Sequence, residues 1–329
     1  MEWEMTSREI VIKNLEHDNP KRPAFSHPGD RLNDFLRVGI DTPTNWEEKR
    51  WVEGKMEYYN DVWGNIWRRM VGRSRKGEIY KPVLEDWSQL DKITIPDYDN
   101  PRLYDRAREA FSKQSDKFKL GAIGGWVFDD SRYLRRLDIY LMDLIQNRDY
   151  IDKLHEIVAY VYETKIRRMA EAGADGIFIG EDWGTQTGPL IGPSMWRDIF
   201  RPIYERLIGI AHEHGLKVMM HSCGYNWLLI DDLAKAGIDC FQFDQPAIYD
   251  MPALADKLKR HKVALWSPLD IQKFLPTGDR ELIRSEAKRM VDIFRGFFII
   301  DHYGDLHGIG VEPEWDTWAY EAFVEAAYL

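Results

Sequence analysis

EAGADGIFIG (171–180), EHGLKVMMH (213–221) and KAGIDCFQFD (235–244) decide the fold, because one pattern is written three times. In each, a helical pattern stops at a glycine, a residue or more intervenes, and a short apolar run follows that ends in polar or ionisable residues. Gly173, Gly215 and Gly237 stand where a helix terminates in the left-handed conformation that glycine adopts without a Cβ penalty. A short αβ loop then delivers the chain into a strand. Helices feeding strands in this order imply parallel strands joined by right-handed crossovers.

Outward from these segments the rhythm continues. Apolar runs recur at KLGAIGG (119–125), VALWS (263–267) and FFII (297–300), with helical patterns between them. An open doubly wound sheet and a closed barrel both fit this alternation. The barrel is preferred, since no Gly-rich dinucleotide or phosphate loop follows any strand. Polar residues instead close nearly every run, and a barrel gathers all such ends at one mouth. The expectation is a TIM-like (β/α)8 barrel forming one domain over 1–329, with an irregular part (1–115) and a regular part (116–329).

The first part is harder to read. Thr6, with Glu9 three residues on, forms a capping box for a helix to Leu15. Pro20 to Pro28 is extended, and Trp46 to Tyr59 is a long amphipathic stretch. DVWGNIWRRM and GEIYKP read as a hairpin, and ITIPDYDNP as a surface loop. Early barrel strands are placed at Ala24–Ser26 and Val62–Ile66.

Composition removes several classes of function. The 329 residues carry a net charge of −10, with Lys and Arg scattered among the acids, so no nucleic-acid surface is expected. No apolar run reaches the roughly 18–20 residues of a membrane span. The charged start MEWEMTSREIVIKN lacks the apolar stretch expected of a signal peptide, and two cysteines imply no disulfide framework. A cytoplasmic location is expected, and an exposed barrel face would allow a homodimer.

The strand ends supply, in order, Trp126 and Asp129–Asp130, Glu181–Asp182, His221 and Cys223, Gln242 and Asp244, Asp270, and Asp301–His302 with His307. Any one carboxylate there serves equally well as a helix cap. The sharpest element is His221-Ser222-Cys223. Residues i and i+2 of a strand share a face, so imidazole and thiol project together. That is a zinc-type pair, and a catalytic zinc takes about three protein ligands with one position open. Glu181, Asp182, His302 and His307 are candidates for the third. The plainer reading is a buried free thiol beside a hydrogen-bonding histidine. Cys240 lies deeper on its strand and is expected to pack, while His212, His214 and His261 are expected to be solvated or capping.

The chain resembles the uroporphyrinogen decarboxylase-like superfamily. The likeness is carried by residues 173–224 (GADGIFIGEDWGTQTGPLIGPSMWRDIFRPIYERLIGIAHEHGLKVMMHSCG) and by LIDDLAKAGIDCFQFDQP, LWSPLDIQKFLPTG and GFFIIDHYGDLHGIGVEPE. TSREIVIKNLEHDNPKRPAF and DVWGNIW resemble its usual beginning. The resemblance implies a TIM-like barrel with its site at the strand carboxyl ends. One branch decarboxylates uroporphyrinogen without a cofactor, holding the substrate's carboxylates with an arginine-rich N-terminal segment. Here RPAFSHPGDRLNDF is followed by Leu36 and Arg37, and Arg31 and Arg37 do not reproduce that arginine pattern. Another branch comprises corrinoid-dependent methyltransferases, whose zinc-binding H-x-C pair His221 and Cys223 match. Their further cysteine near the last strand is absent, and IIDHYGDLHG offers Asp301, His302, Asp305 and His307 instead.

The leading expectation is therefore methyl transfer between a small methylated substrate, such as a methoxylated aromatic, and a corrinoid on a partner protein. Zinc would sit on His221 and Cys223, with Glu181 or Asp182 as a further ligand or proton donor. Trp126, Trp183 and Trp266 would flank the substrate, and Gln242, Asp244 and Asp270 would bind it. The alternative is a metal-free decarboxylase or lyase for another carboxylated compound, with Asp129, Asp130 or Glu181 as proton donor assisted by His221 or His307. A non-catalytic corrinoid- or tetrapyrrole-binding barrel is a third.

Overall fold

The computed structural model describes residues 5–72 and 77–329. Its strands are β1 (Ala24–Ser26), β2 (Phe35–Gly39), β3 (Arg50–Glu53), β4 (Met56–Asn60), β5 (Ile66–Met70), β6 (Glu78–Lys81), β7 (Phe118–Gly124), β8 (Gly176–Gly180), β9 (Lys217–His221), β10 (Cys240–Gln242), β11 (Ala264–Ser267) and β12 (Phe298–Asp301). Its helices are α1 (Ser7–Glu16), α2 (Asp105–Ser112), α3 (Val127–Arg135), α4 (Leu137–Gln146), α5 (Arg148–Glu171), α6 (Pro193–Ile199), α7 (Arg201–Glu213), α8 (Ile230–Lys235), α9 (Met251–His261), α10 (Arg280–Phe294) and α11 (Pro313–Ala327). Among the described residues no helix is long and apolar enough to cross a membrane.

Eight strands form one sheet in the order β1-β12-β11-β10-β9-β8-β7-β2, and every ladder in it is parallel. The two ends meet at one antiparallel bridge, Ser26 to Asn33, so the barrel is nearly closed. Asp34 makes that closure. Its backbone N–H donates to the Phe25 carbonyl at 2.8 Å, and its carboxylate accepts from the Phe25 N–H and from the Arg22 guanidinium. Asp34 is buried and Arg22 nearly so, and removing the guanidinium would strand the Asp34 charge.

The glycine stops stand as expected, with φ of 90° at Gly173, 74° at Gly215 and 110° at Gly237. Helix α1 has the Thr6–Glu9 capping box and lies across the barrel floor, where Asn14 Oδ1 accepts from the Phe298 N–H. Inside the barrel Phe35 stacks on Trp266 (ring centres 5.4 Å apart) and Phe178 meets the same indole edge-on at 5.1 Å. These rings occupy the centre of the lumen.

One sequence expectation for the first part needs correction. The second barrel strand is Phe35–Gly39, not Val62–Ile66. The latter residues mostly form a loop, braced by Asp61, whose carboxylate accepts from Trp67 Nε1, Asn65 Nδ2 and two backbone N–H groups. The amphipathic stretch from Trp46 to Tyr59 contains a hairpin, β3 against β4, which turns at Gly54 with φ 61°. The β5–β6 hairpin expected from DVWGNIWRRM and GEIYKP is present, although residues 73–76 of its connection lie outside those described. Together β3–β6 make a four-stranded antiparallel sheet beside the mouth, where Trp67 meets Tyr133 of α3 edge-on at 4.8 Å.

Candidate metal centre at the barrel mouth

The parallel register sets Gly180, His221, Gln242 and Trp266 side by side across β8 to β11. The strand alternation continues past the strand ends. Asp182 and Cys223 therefore turn into the mouth with His221, while Glu181 and Ser222 turn away from it. One donor atom each from Asp182, His221 and Cys223 falls within 4.8 Å of the others. His221 Nε2 lies 3.2 Å from Cys223 Sγ and 3.4 Å from Asp182 Oδ1. The Cys223 backbone N–H donates to Asp182 Oδ1 at 3.0 Å, which ties the two loops together.

Two glycines make that contact possible. A Cβ at Gly184 would sit 2.6 Å from the Cys223 carbonyl oxygen, and one at Gly224 would sit 2.5 Å from the backbone of Gly184. The loops after β8 and β9 thus pack backbone on backbone, and this sets how near Cys223 approaches Asp182.

The imidazole is oriented from behind. Its Nδ1 donates to Gln242 Oε1. The amide is itself oriented, since its Nε2 donates to Asp244 Oδ1 at 2.8 Å and to Asp301 Oδ2 at 3.4 Å. Nε2 of His221 is left facing the thiol and the carboxylate. Such an outer hydrogen bond to the second ring nitrogen is the usual support of a metal-binding histidine.

Burial alone would lower the His221 pKa, but bonds to Asp182 and Cys223 outweigh it and the imidazole binds its proton well above the usual histidine range. Burial would likewise raise Asp182, yet the bonds from His221 and the Cys223 N–H hold it well below the ordinary carboxylate range. Burial pushes the Cys223 thiol up, only partly offset by His221. A cation bound at this point would reverse that shift and favour thiolate. The donor set of one carboxylate oxygen, one imidazole nitrogen and one thiol sulfur fits a zinc-type ion with a fourth position open. It faces a cavity of about 440 Å³, also lined by Arg37, Asp129 and Phe178.

The remaining expected residues are placed as follows. Glu181 is fully enclosed, accepting from the Phe128 and Asp129 N–H groups and from the Tyr204 hydroxyl; burial raises its pKa well above the usual range. Asp129 pairs with Arg132 at 2.7 Å and lines the cavity. Trp126 and Trp183 have no exposed surface: Trp126 packs on Tyr162 and Tyr204, Trp183 on Phe128 and Phe200. Trp266, inside the lumen, lines a neighbouring cavity with Arg37, Asp301 and His302. Asp270 caps its own loop, accepting from the backbone N–H groups of Ala247, Gln272 and Lys273. His302 turns toward His27, their ring centres 6.1 Å apart, and His307 is exposed on a short turn. Neither joins the donor cluster. Cys240 is buried and packs, as expected. His212 and His261 pair with Asp239 and Asp231, and His214 bonds the Ile210 carbonyl.

Gln242 as the support of His221 was not legible as such. The signal was its register position one strand over, which requires the strand pairing to be known.

An eight-stranded parallel barrel with acid, imidazole and thiol gathered at the carboxyl ends of its strands is a (β/α)8-type scaffold with its site at the mouth. The family model for uroporphyrinogen decarboxylase (URO-D) matches residues 71–328, and the chain belongs to that family. Among solved structures, a methyltransferase from Methanosarcina mazei is similar over 98% of both chains, with 15% identity and a TM-score of 0.66. A B12-independent methionine synthase from Shewanella sp. W3-18-1 is similar over 98% of this chain and 86% of its own, with 12% identity and a TM-score of 0.43. No curated protein sequence matches the chain.

Proposed function

We propose that the chain is a methyltransferase that moves a methyl group between a small methylated substrate and a corrinoid carried by a partner protein, with zinc held by Asp182, His221 and Cys223. The observation that carries this reading is the convergence of those three donors at the mouth. The shared fold of the Methanosarcina methyltransferase supports it. Asp182 would supply the third ligand in the absence of a late cysteine.

The bound ion would act as a Lewis acid on the heteroatom that carries or receives the methyl group. The chain's own residues do the rest. Gln242 keeps His221 Nδ1 protonated and Nε2 directed at the cluster. The Cys223 N–H holds Asp182 in place, and Asp129 with Arg132 forms the adjoining wall. The corrinoid partner would approach the same open mouth. Metal content of tag-free protein, with methyl transfer to a corrinoid acceptor in wild type and Cys223→Ser, tests this reading. Active protein purified without metal would overturn it.

A second reading has its own support. Arg37 and Asp301 line one cavity, and burial with neighbouring Asp244 pushes the Asp301 carboxyl up to about 7. A cation beside a carboxyl that can hold a proton near neutrality suits a decarboxylase for a carboxylated substrate. Uroporphyrinogen itself fits poorly, since Arg31 is committed to Asp316 and Thr317. Release of carbon dioxide by the Cys223→Ser protein would favour this reading over methyl transfer.

A further inference from the structure

The mouth has a second lobe. A cavity of about 350 Å³ lies between the ends of β2 and β7, the 61–67 loop and α5. Its walls are aromatic, with Trp63, Trp67, Tyr98, Tyr133 and Tyr162. Lys165 and Asp130 face it, and the methyl-transfer reading uses neither. Lys165 of α5 is only 6% exposed. Its ammonium nitrogen stands 4.1 Å from the ring centre of Tyr98 and 4.6 Å from that of Tyr162. Its hydrogen-bond acceptor among the described residues is the Ile123 carbonyl, at 3.2 Å. An ammonium has three N–H donors, so donor capacity is left over. Asp130 of α3 accepts on Oδ2 from Trp63 Nε1 (3.2 Å) and the Tyr162 hydroxyl (2.8 Å). Its Oδ1 lies near Gly125, where a Cβ would be 2.9 Å away.

This lobe opens onto the metal-centre cavity. Ala122, Gly124 and Gly125 line both. Gly124 has φ +82° and a Cβ there would meet nothing within 4 Å, so no side chain closes the passage.

We propose that the second lobe holds a hydroxyl-bearing aromatic ring of the substrate, its phenolic oxygen accepting from Lys165 and its hydroxyl donating to Asp130. The methylated group of the same molecule would extend over Gly124 and Gly125 toward Cys223. That last clause rests on the methyl-transfer reading; the ring site does not.

The chemistry selects among ligands. A cationic ligand would meet Lys165, which already covers the faces of Tyr98 and Tyr162. A carboxylate would meet Asp130 and the Asp61 carboxylate, the latter fully committed to its loop. A purely apolar ring would bury Lys165 and Asp130 without new partners, which costs binding. A phenol donates and accepts through one atom, matching an ammonium beside a carboxyl. The cavity is at the small end of the range for ligand sites, enough for one ring.

Binding of 2-methoxyphenol and methoxybenzene, read by calorimetry, tests the proposal without requiring turnover. The phenol should bind wild type about tenfold or more tightly than methoxybenzene, as a hydrogen bond to a charged group implies. In Lys165→Met that advantage should fall below about threefold, with methoxybenzene little changed. A second variant covers misfolding of the first: Ile40→Trp fills the lobe from its rim and should abolish binding of both probes. Equal affinities in wild type, no saturable binding of 2-methoxyphenol, or a folded Lys165→Met that keeps the advantage would each overturn the ring site. The same pair of probes, set beside a methyl-transfer assay, separates the two proposals. Phenol selectivity retained in a wild type that shows no methyl transfer would sink the transfer reading alone.

Discussion

Gln242→Met removes the support of His221 while nearly keeping the volume of the side chain. Three hydrogen bonds go with it: from His221 Nδ1 to Oε1, and from Nε2 to Asp244 and Asp301, the last long at 3.4 Å. Two good bonds and one weak one, at about 1 kcal/mol net each, predict a loss of roughly 2–3 kcal/mol in unfolding free energy. The imidazole is then free to rotate about χ2, and outer-sphere losses of this kind weaken metal binding by about 10- to 100-fold, or roughly 1.4–2.7 kcal/mol. Competition of the protein against a chromogenic zinc chelator measures the second number, and urea unfolding the first. Asp270→Asn is the control. Its carboxylate caps a loop and touches none of the three donors, so it should lower stability and leave zinc affinity alone. A folded Gln242→Met with zinc affinity within twofold of wild type would refute the idea that this amide holds the ring.

Further outcomes are expected. Cys223→Ser should lose zinc and keep its melting temperature within a few degrees, whereas Cys240→Ser, at a fully buried packing position, should keep zinc and lose stability; metal analysis with thermal melts separates them. Glu181→Gln should cost less than about 1.5 kcal/mol, because burial already disfavours the ionised form of the enclosed acid and the amide keeps an acceptor for the Phe128 N–H. A loss above 3 kcal/mol would mean that the ionised form is native. Gly184→Ala should destabilise by about 1–3 kcal/mol and weaken zinc binding, since its Cβ would force the Cys223 loop away. His155, whose pKa burial lowers to about 3, stays neutral in the fold, while the unfolded chain takes up a proton below 6.5. Its contribution is complete above pH 6.5 and is lost as pH falls toward 3. Roughly 2–3 kcal/mol should therefore disappear between pH 7 and 4.5 in wild type and not in His155→Gln, as read by chemical unfolding at both values.

Much of the barrel and part of its site could be read before folding. The regular half was legible because each αβ joint is local: a glycine stop, a short loop and an apolar run lie within ten or so residues, and periodicity needs no partner to be seen. The pairing of His221 with Cys223 is equally local, a consequence of strand alternation alone. Alternation also separates Glu181 from Asp182, although choosing which of them faces inward required the register of β8 against β9.

The N-terminal part resisted for the opposite reason. Phe35–Gly39 carries only a weak apolar signal, and it is a strand because β7 lies beside it and Asp34 binds Phe25 across the closure. Trp126 and Trp183 are the residue type of a ligand wall, yet helices α3, α5 and α7 enclose them, and only packing distinguishes a buried indole from a facing one. Gln242 behind His221, Asp270 turned into its own loop, and Lys165 brought from the middle of α5 to a lobe of the mouth all depend on contacts between elements far apart in the chain. The α/β rhythm, the polar strand ends and the thiol–imidazole pair are readable from the chain alone, because they follow from backbone geometry over a few residues. Which acid completes the donor set, what orients the imidazole and where open space remains were decided by the tertiary structure, since each is a property of side chains meeting across strands and not of any one segment.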